Sequence, residues 1–426
     1  MFSISKLLAT ALLCLCISHV EAEWRYTGKI SPYHSGVSNA VDGAGNATAV
    51  WAEFYSKTNH IYSSDFFKGN KYWEIPSAVF GENNRDFTDT GVVVDSAGNA
   101  VAIWQENDGA LSKVRSSSRP FKGQWSPPVD ISGTTDRKDM TPRIAITASG
   151  YAVAVWNLDY TIQAATLEFG GKWSTPVTLA TQDGDAPTVG IANNGTAIAL
   201  WQKGAAIQSA SLPLGGNWST PVTLSKKNSM RGQLAVNPAG QAIATWWTYG
   251  ASKSSLYSIH AAILESENTW SRPTLIATAD YIMDSTVTIA SSGDILVVWV
   301  EEDIDDSQVF PIPSDPFIQA SRFSSGYWSR PVTLSSKKEK AFNPCVKFDE
   351  SSNAFVVWND YSTIQAARIH KQNGIWTAPE TIATIPAGLI SRPQICVDHD
   401  GVAIVNWSTE GGEIHSALWT SVPIDE

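Results

Sequence analysis

Cysteine, clustered histidine, helical periodicity and long apolar runs are all scarce in this chain, and each shortage closes a class of explanation. Of four cysteines, Cys14 and Cys16 lie in the first 22 residues, which leaves only Cys345 and Cys396. That excludes a disulfide-framed mini-fold. One Cys345–Cys396 bridge and two buried thiols both stay open, the bridge needing Cα atoms within about 7 Å. The histidines at 34, 60, 260, 370, 399 and 415 share no metal-ligand spacing. Gly-x-Ser-x-Gly, His-Glu-x-x-His and phosphate-loop motifs are absent. The formal net charge of −11 argues against nucleic acid as a partner, because phosphate binders cluster Lys and Arg.

No stretch approaches 18 uninterrupted apolar residues, so no membrane span is expected. The first 22 residues carry one lysine (Lys6), a short apolar run "LLATALLCLCI" and a small-residue ending "HVEA". They read as a secretory signal cleaved after Ala22, which predicts an exported protein, secreted or periplasmic. Cys14 and Cys16 each follow leucine, unlike a lipoprotein site, where Gly, Ala or Ser precedes the cysteine. Residues 23–426 exceed a usual domain unless they form an array, and a monomeric single array is expected.

What is present is repetition. "VDGAGNATAVW" ends at Trp51, "VDSAGNAVAIW" at Trp104 and "ITASGYAVAVW" at Trp156, and related stretches end at Trp201, Trp246, Trp299, Trp358 and Trp407. A second anchor, "GKWSTPVTLA" in one copy and "GNWSTPVTLS" in the next, recurs at Trp24, Trp73, Trp125, Trp173, Trp218, Trp270, Trp328 and Trp376. Between the anchors every unit reads as short strands: A before a tight turn, B ending in tryptophan, C such as "TIQAATLEF", and D beginning at the second anchor. Four strands per unit with a tryptophan signature predict an all-β fold, an eight-bladed β-propeller of four-stranded antiparallel blades. In strand B, small residues such as Ala154 and Ala152 alternate with branched ones such as Val155 and Val153. Shallow and bulky faces then alternate, as stacked blades require, and the tryptophans belong between blades.

The last unit stops at "SVPIDE" without its tryptophan-bearing strand D, whereas "EWRYTGKIS" at 23–31 precedes any unit it could complete. An unpaired sheet edge is a liability. Residues 23–31 are therefore expected to be the outer strand of the eighth blade, closing the ring.

The A-to-B and C-to-D turns are short and glycine-bearing, whereas the B-to-C and D-to-A loops vary from "QKGAA" to "VEEDIDDSQVFPIPSDPF". Binding residues favour variable loops on a rigid scaffold, which places a site on the B-to-C and D-to-A face. Two polar sets reach it. Just past many of the strand-B tryptophans stand Glu53, Gln105, Asn157, Asp159, Gln202, Asn359 and Asp360, and early in strand C stand Gln163, Gln208, His260, Gln319, Gln365 and His415. Planar amides beside aromatic planes suit sugar hydroxyls and ring faces; the other reading is that they satisfy hydrogen bonds at the blade ends. Glu301, Asp303 and Asp305 in the longest loop are candidate Ca²⁺ ligands, as oxygen-rich sites are, although a plain solvated loop is the other reading and no further cofactor is implied. Carboxylate pairs for glycoside hydrolysis would come from different blades and leave no spacing to read.

Over the whole of 23–426 the repeats resemble secreted bacterial β-propellers. "DSAGN", nine residues before Trp104 at its aspartate, is similar to the Asp-box of sialidase-type propellers. "ATLEFGGKW" is similar to the quinone-dehydrogenase propeller motif but carries Leu167 in place of its acid, which leaves no quinone implied. Lectin-type propellers also repeat a tryptophan-bearing motif in each blade and need no catalytic residues. The resemblance thus implies a non-enzymatic recognition or scaffold module for glycans or a surface protein. The alternative it implies is a sialidase-like glycoside hydrolase. A lectin predicts several equivalent sites around the ring; a hydrolase predicts one central site where carboxylates and arginines converge.

Overall fold

The computed structural model describes residues 23–31, 35–55, 58–137, 139–226, 228–250, 256–305, 312–313, 315–337, 340–384 and 392–420. The expected signal segment, 1–22, lies outside them. The described residues are strands and loops without helix, arranged as eight four-stranded antiparallel blades in a ring, a β-propeller. The innermost strands A are Ser35–Val41, Asp86–Val94, Arg143–Ile146, Gly184–Ile191, Ser229–Val236, Tyr281–Ile289, Phe342–Phe348 and Gln394–Val397 for blades 1 to 8. A short extra hairpin, Ile304–Asp305 with Ile312–Pro313, rises from the B-to-C loop of blade 6.

Strand B is the buried centre of every blade. All eight strand-B tryptophans are among the largest fully buried side chains, and each packs on the blade before it. Trp104 of blade 2 lies against Val50, Ala52 and Ile61 of blade 1, and Trp201 of blade 4 against Val155, Ile162 and Ala164 of blade 3. Removing such a ring costs about 3–5 kcal/mol, so the tryptophans are the inter-blade core that the small-and-bulky alternation implies. The A-to-B turns are held by their first residue. Asp42 accepts the N–H groups of Ala44 and Asn46 through one oxygen, both at 2.8 Å, and Asp95 repeats this with Ala97 and Asn99 at 2.9 Å. The glycine between, Gly45 or Gly98, has φ near 85° (85° and 84°), which side chains disfavour.

Strand D differs from its sequence expectation. In blades 3 and 4 it covers only Val177–Ala180 and Val222–Thr223, past the tryptophan that should begin it. Pro176 and Pro221 cannot donate to a ladder, and the tryptophan instead turns into the inter-blade core. The residue after the tryptophan replaces the missing pairing. Ser174 donates its N–H to Thr166 O at 2.8 Å while its hydroxyl accepts the Thr166 N–H at 3.0 Å. Ser126, Ser219, Ser271, Ser329 and Thr377 make the same two-way clasp, which explains the hydroxyl in the "WS" motif.

Residues 23–31 close the ring as expected. Glu23–Ser31 pairs antiparallel with Ile414–Thr420, from Glu23 opposite Thr420 to Ser31 opposite Ile414. Blade 8 therefore takes its outer strand from the start of the chain and its other three from the end.

Candidate functional site

Strand A runs from the B-to-C and D-to-A face down the channel, so its first residues form the channel mouth. Register identifies equivalent positions. Fifteen residues before each strand-B tryptophan stand Gly36, Asp89, Thr141, Ala186, Arg231, Asp284, Asn343 and Arg392, one for each blade. Six of them have φ between 43° and 57°, namely Gly36, Asp89, Thr141, Ala186, Arg231 and Asn343. In blades 1, 2, 4, 5 and 7 this residue lies in a bulge of the A–B ladder. A bulge re-aims side chains and ends pairing, so the ring is a built rim. Two residues deeper comes Arg143 of blade 3, opposite Val155.

On this rim, charges from separate blades meet. Arg392 of blade 8 forms an ion pair with Asp284 of blade 6, reaching past blade 7. Burial pulls the Arg392 guanidinium below its ordinary value, and the neighbouring cations Arg143 and Arg231 push it the same way. All three arginines belong to the opening segments of inner strands, those of blades 3, 5 and 8, and the Arg392 side chain keeps 43% of its accessible area. Among the described residues neither Arg143 nor Arg231 forms an ion pair, and Arg143 is oriented by donating to Pro142 O at 2.9 Å. Asp284 accepts the N–H of Ser285 at 2.9 Å. Asp89 is the other acid at the fifteen-residue position, and Asp86 and Asp185 also stand in the opening residues of inner strands, those of blades 2 and 4. At its other end the channel holds a cavity of about 510 Å³ lined by Val94, Ile146, Ile191 and Val236 together with the polar Lys347, Asp349 and His399.

The two polar sets lie at the blade ends. The strand-C set stands directly opposite the strand-B tryptophans, Gln163 across from Trp156, His260 from Trp246 and His415 from Trp407. Trp156 donates to Gln163 at 3.2 Å and Trp358 to Gln365 at 3.1 Å. His260 and His415 lie nearly parallel to their indoles, at 15° and 16°. Gln208 donates to Thr223 at 3.0 Å, and Gln319 is buried opposite Trp299. Tyr62 and Arg115 occupy the same position in blades 1 and 2.

Of the strand-B set, Glu53 accepts from Trp51 at 3.0 Å and from Ser31. Gln105 accepts the Met140 N–H at 2.9 Å, Asn157 the Tyr160 N–H at 3.0 Å, and Asn359 the Asn343 amide at 3.1 Å. Asp159 accepts from Thr135, Gln202 donates to Gly204 O at 2.9 Å, and Asp360 caps Ser362 and Thr363 at 2.6 Å. These groups are distributed around the ring, whereas the arginines and Asp284 come together.

Among the calcium candidates, Glu301 accepts from Trp299 at 2.9 Å, Asp303 pairs with Lys337 at 2.8 Å, and the Asp305 side chain lies outside the described residues. Another carboxylate cluster, Asp398, His399 and Asp400, already holds a cation: Lys68 Nζ is 2.8 Å from Asp398 and also bonds Asp400. Cys345 and Cys396 are free thiols on the neighbouring inner strands of blades 7 and 8.

The fifteen-residue offset was available in the sequence. Its occupants differ from blade to blade, so a search for repeated residues passes over them.

No protein-family model matches the chain, and no curated protein matches it by sequence. Solved structures do. The Dos1 propeller superposes with a TM-score of 0.57 at 10% identity, covering 92% of this chain and 94% of that one. The polysaccharide lyase Uly1 gives 0.51 at 8% identity over 76% and 88%. A PL25 ulvan lyase bound to -[GlcA(1-4)Rha3S]- gives 0.52 at 10% identity over 76% and 90%. At these identities the likeness is one of fold.

Proposed function

We propose that this protein is an exported recognition module that binds an acidic glycan at the mouth of its propeller channel. The observation that carries the reading is the convergence of Arg143, Arg231 and Arg392, from three blades, on a rim where Asp284 is the one carboxylate paired with them among the described residues. Guanidinium groups match carboxylate and sulfate geometry through paired N–H donors. Guanidinium groups gathered at one place on an otherwise acidic protein steer an anionic ligand there. The propeller fold it shares with polysaccharide lyases fits a glycan ligand. A single central site replaces the several equivalent sites of a lectin ring, and the amides at the blade ends serve as supports for the tryptophans and turns.

The test is calorimetric titration with pectate and hyaluronan against neutral dextran. The acidic polymers are expected to bind, more weakly as salt rises, and Arg392→Ala to weaken binding about tenfold or more, the worth of a charged hydrogen bond. Equal binding of dextran, or indifference to both Arg392→Ala and Arg231→Ala, would overturn the reading. New reducing ends or unsaturated products released at this rim would make it an active site.

A further inference from the structure

A patch of exposed tyrosine adjoins the charged rim. Tyr281 opens strand A of blade 6, three residues ahead of Asp284. Its ring lies 4.9 Å from that of Tyr257 at 78°, edge to face. Tyr257 begins strand C of blade 5, and Tyr249 comes just past strand B of the same blade, so the two flank one B-to-C connection. Tyr249 and Tyr281 are each 38% exposed, and Leu256 and Met283 beside them are also open. The patch is therefore an aromatic platform on the tops of blades 5 and 6, whose inner strands also carry Arg231 and Asp284. Tyr257 and Tyr281, held edge to face, lose little entropy on binding, and each tyrosine of the patch offers an apolar face with a hydroxyl at its edge. A hexopyranose presents the complement, an apolar C–H face rimmed by hydroxyls.

Charge decides which hexose. Asp280 precedes Tyr281, Glu302 stands opposite Tyr281, and Glu301 stands opposite Ile282. Asp303 follows, already paired with Lys337. Against this acidic fringe a second uronate would meet like charge, which costs affinity, whereas a neutral sugar would not. We infer that the Tyr249–Tyr257–Tyr281 platform is a subsite for an uncharged sugar residue linked to the acidic residue held by the arginines. This rests on the acidic-glycan reading above and narrows it: the ligand is a polysaccharide in which acidic and neutral residues alternate.

The experiment is titration at fixed ionic strength with three probes. They are the hyaluronan tetrasaccharide (glucuronate alternating with N-acetylglucosamine), tetragalacturonate (acidic throughout) and free glucuronate. The wild type is expected to favour the alternating tetrasaccharide over tetragalacturonate about tenfold. Tyr249→Ala and Tyr281→Ala should each weaken the alternating probe about tenfold while leaving glucuronate within about twofold. Arg392→Ala should weaken all three, and unchanged melting curves show that each variant is folded. Tyrosine variants that bind the alternating probe as the wild type does, or tetragalacturonate bound as tightly as the alternating probe, overturn the subsite and leave the anion centre standing. Indifference of all three probes to Arg392→Ala overturns the anion centre, and the subsite falls with it.

Discussion

The hydroxyl of Tyr26 lies 2.6 Å from Nδ1 of His415, and these two residues belong to opposite ends of the chain. The other ring nitrogen of His415 is 3.1 Å from Glu413, which also binds Lys29 at 2.6 Å. Tyr26 and Lys29 lie on the closing strand and His415 on its partner, so the network is a side-chain clasp over the seam of blade 8. The backbone ladder beneath it is the larger contribution, because losing the strand would expose the hydrogen-bonding edge of Ile414–Thr420. A chain lacking 23–31 should lose most of its cooperative stability, whereas Tyr26→Phe should cost about 0.5–1 kcal/mol, the low end for a hydrogen bond at an exposed site. Urea unfolding of both variants checks the contrast; equal, small losses would mean that the seam does not depend on this strand.

Acidification should loosen the same seam. The His415 pKa lies below the usual 6.5 because burial outweighs the favourable Glu413 carboxylate, and His260 is lowered by burial too. A histidine lowered in the folded state takes up more protons when unfolded, so its contribution is complete above the ordinary value and lost as pH falls through the folded one. The urea midpoint should therefore begin to drop as the pH falls past about 6.5, the ordinary histidine value, and go on dropping through the lower folded one. Replacing His260 and His415 with glutamine should flatten that drop; a slope unchanged by both substitutions would assign it to other groups.

How much of this was legible depended on what each position must do in every blade. The strand-B tryptophans, the Asp42-type turns and the closing strand 23–31 solve the same packing or capping problem eight times over, so the residue repeats and the fold can be read. Position fifteen before each tryptophan is different. In blades 2, 4, 5 and 7 its backbone recurs as a bulge with positive φ, but Asp89, Ala186, Arg231 and Asn343 fill it with unrelated side chains. The fold keeps the turn there while the side chain varies, so a reading keyed to repeated letters selects Gln163, Gln365 and their equivalents and passes over this position. Arg143, Arg231 and Arg392 come from three distant segments, and only ring closure brings them together.

The two thiols make a further prediction. Burial pushes the Cys396 pKa up to about 12, and Cys345 is raised by burial as well. Since thiolate is the reactive species, a disulfide-exchange reagent at pH 8 should leave the native protein nearly unlabelled and titrate two thiols for each chain of residues 23–426 after denaturation. Fewer than two on denaturation would reveal a Cys345–Cys396 bridge formed on export; fast labelling of the native protein would contradict the burial.

Asp284 gives the sharpest test of the rim, because its effects on binding and on stability should have opposite signs. It occupies Arg392 with a carboxylate that belongs to the protein, so an anionic ligand must compete with it for that guanidinium. Asp284→Asn keeps the side-chain shape and the oxygen that accepts from Ser285 while removing the charge. Affinity for the acidic probe should rise about threefold to tenfold, since the rim gains a unit of positive charge and loses its internal competitor. Thermal stability should fall modestly, because Arg392 is then left facing Arg143 and Arg231 without its counter-charge. Paired titrations and melts of the wild type and the variant measure both. Weaker binding in the asparagine variant would mean that Asp284 positions Arg392 for the ligand, and the competition would be excluded.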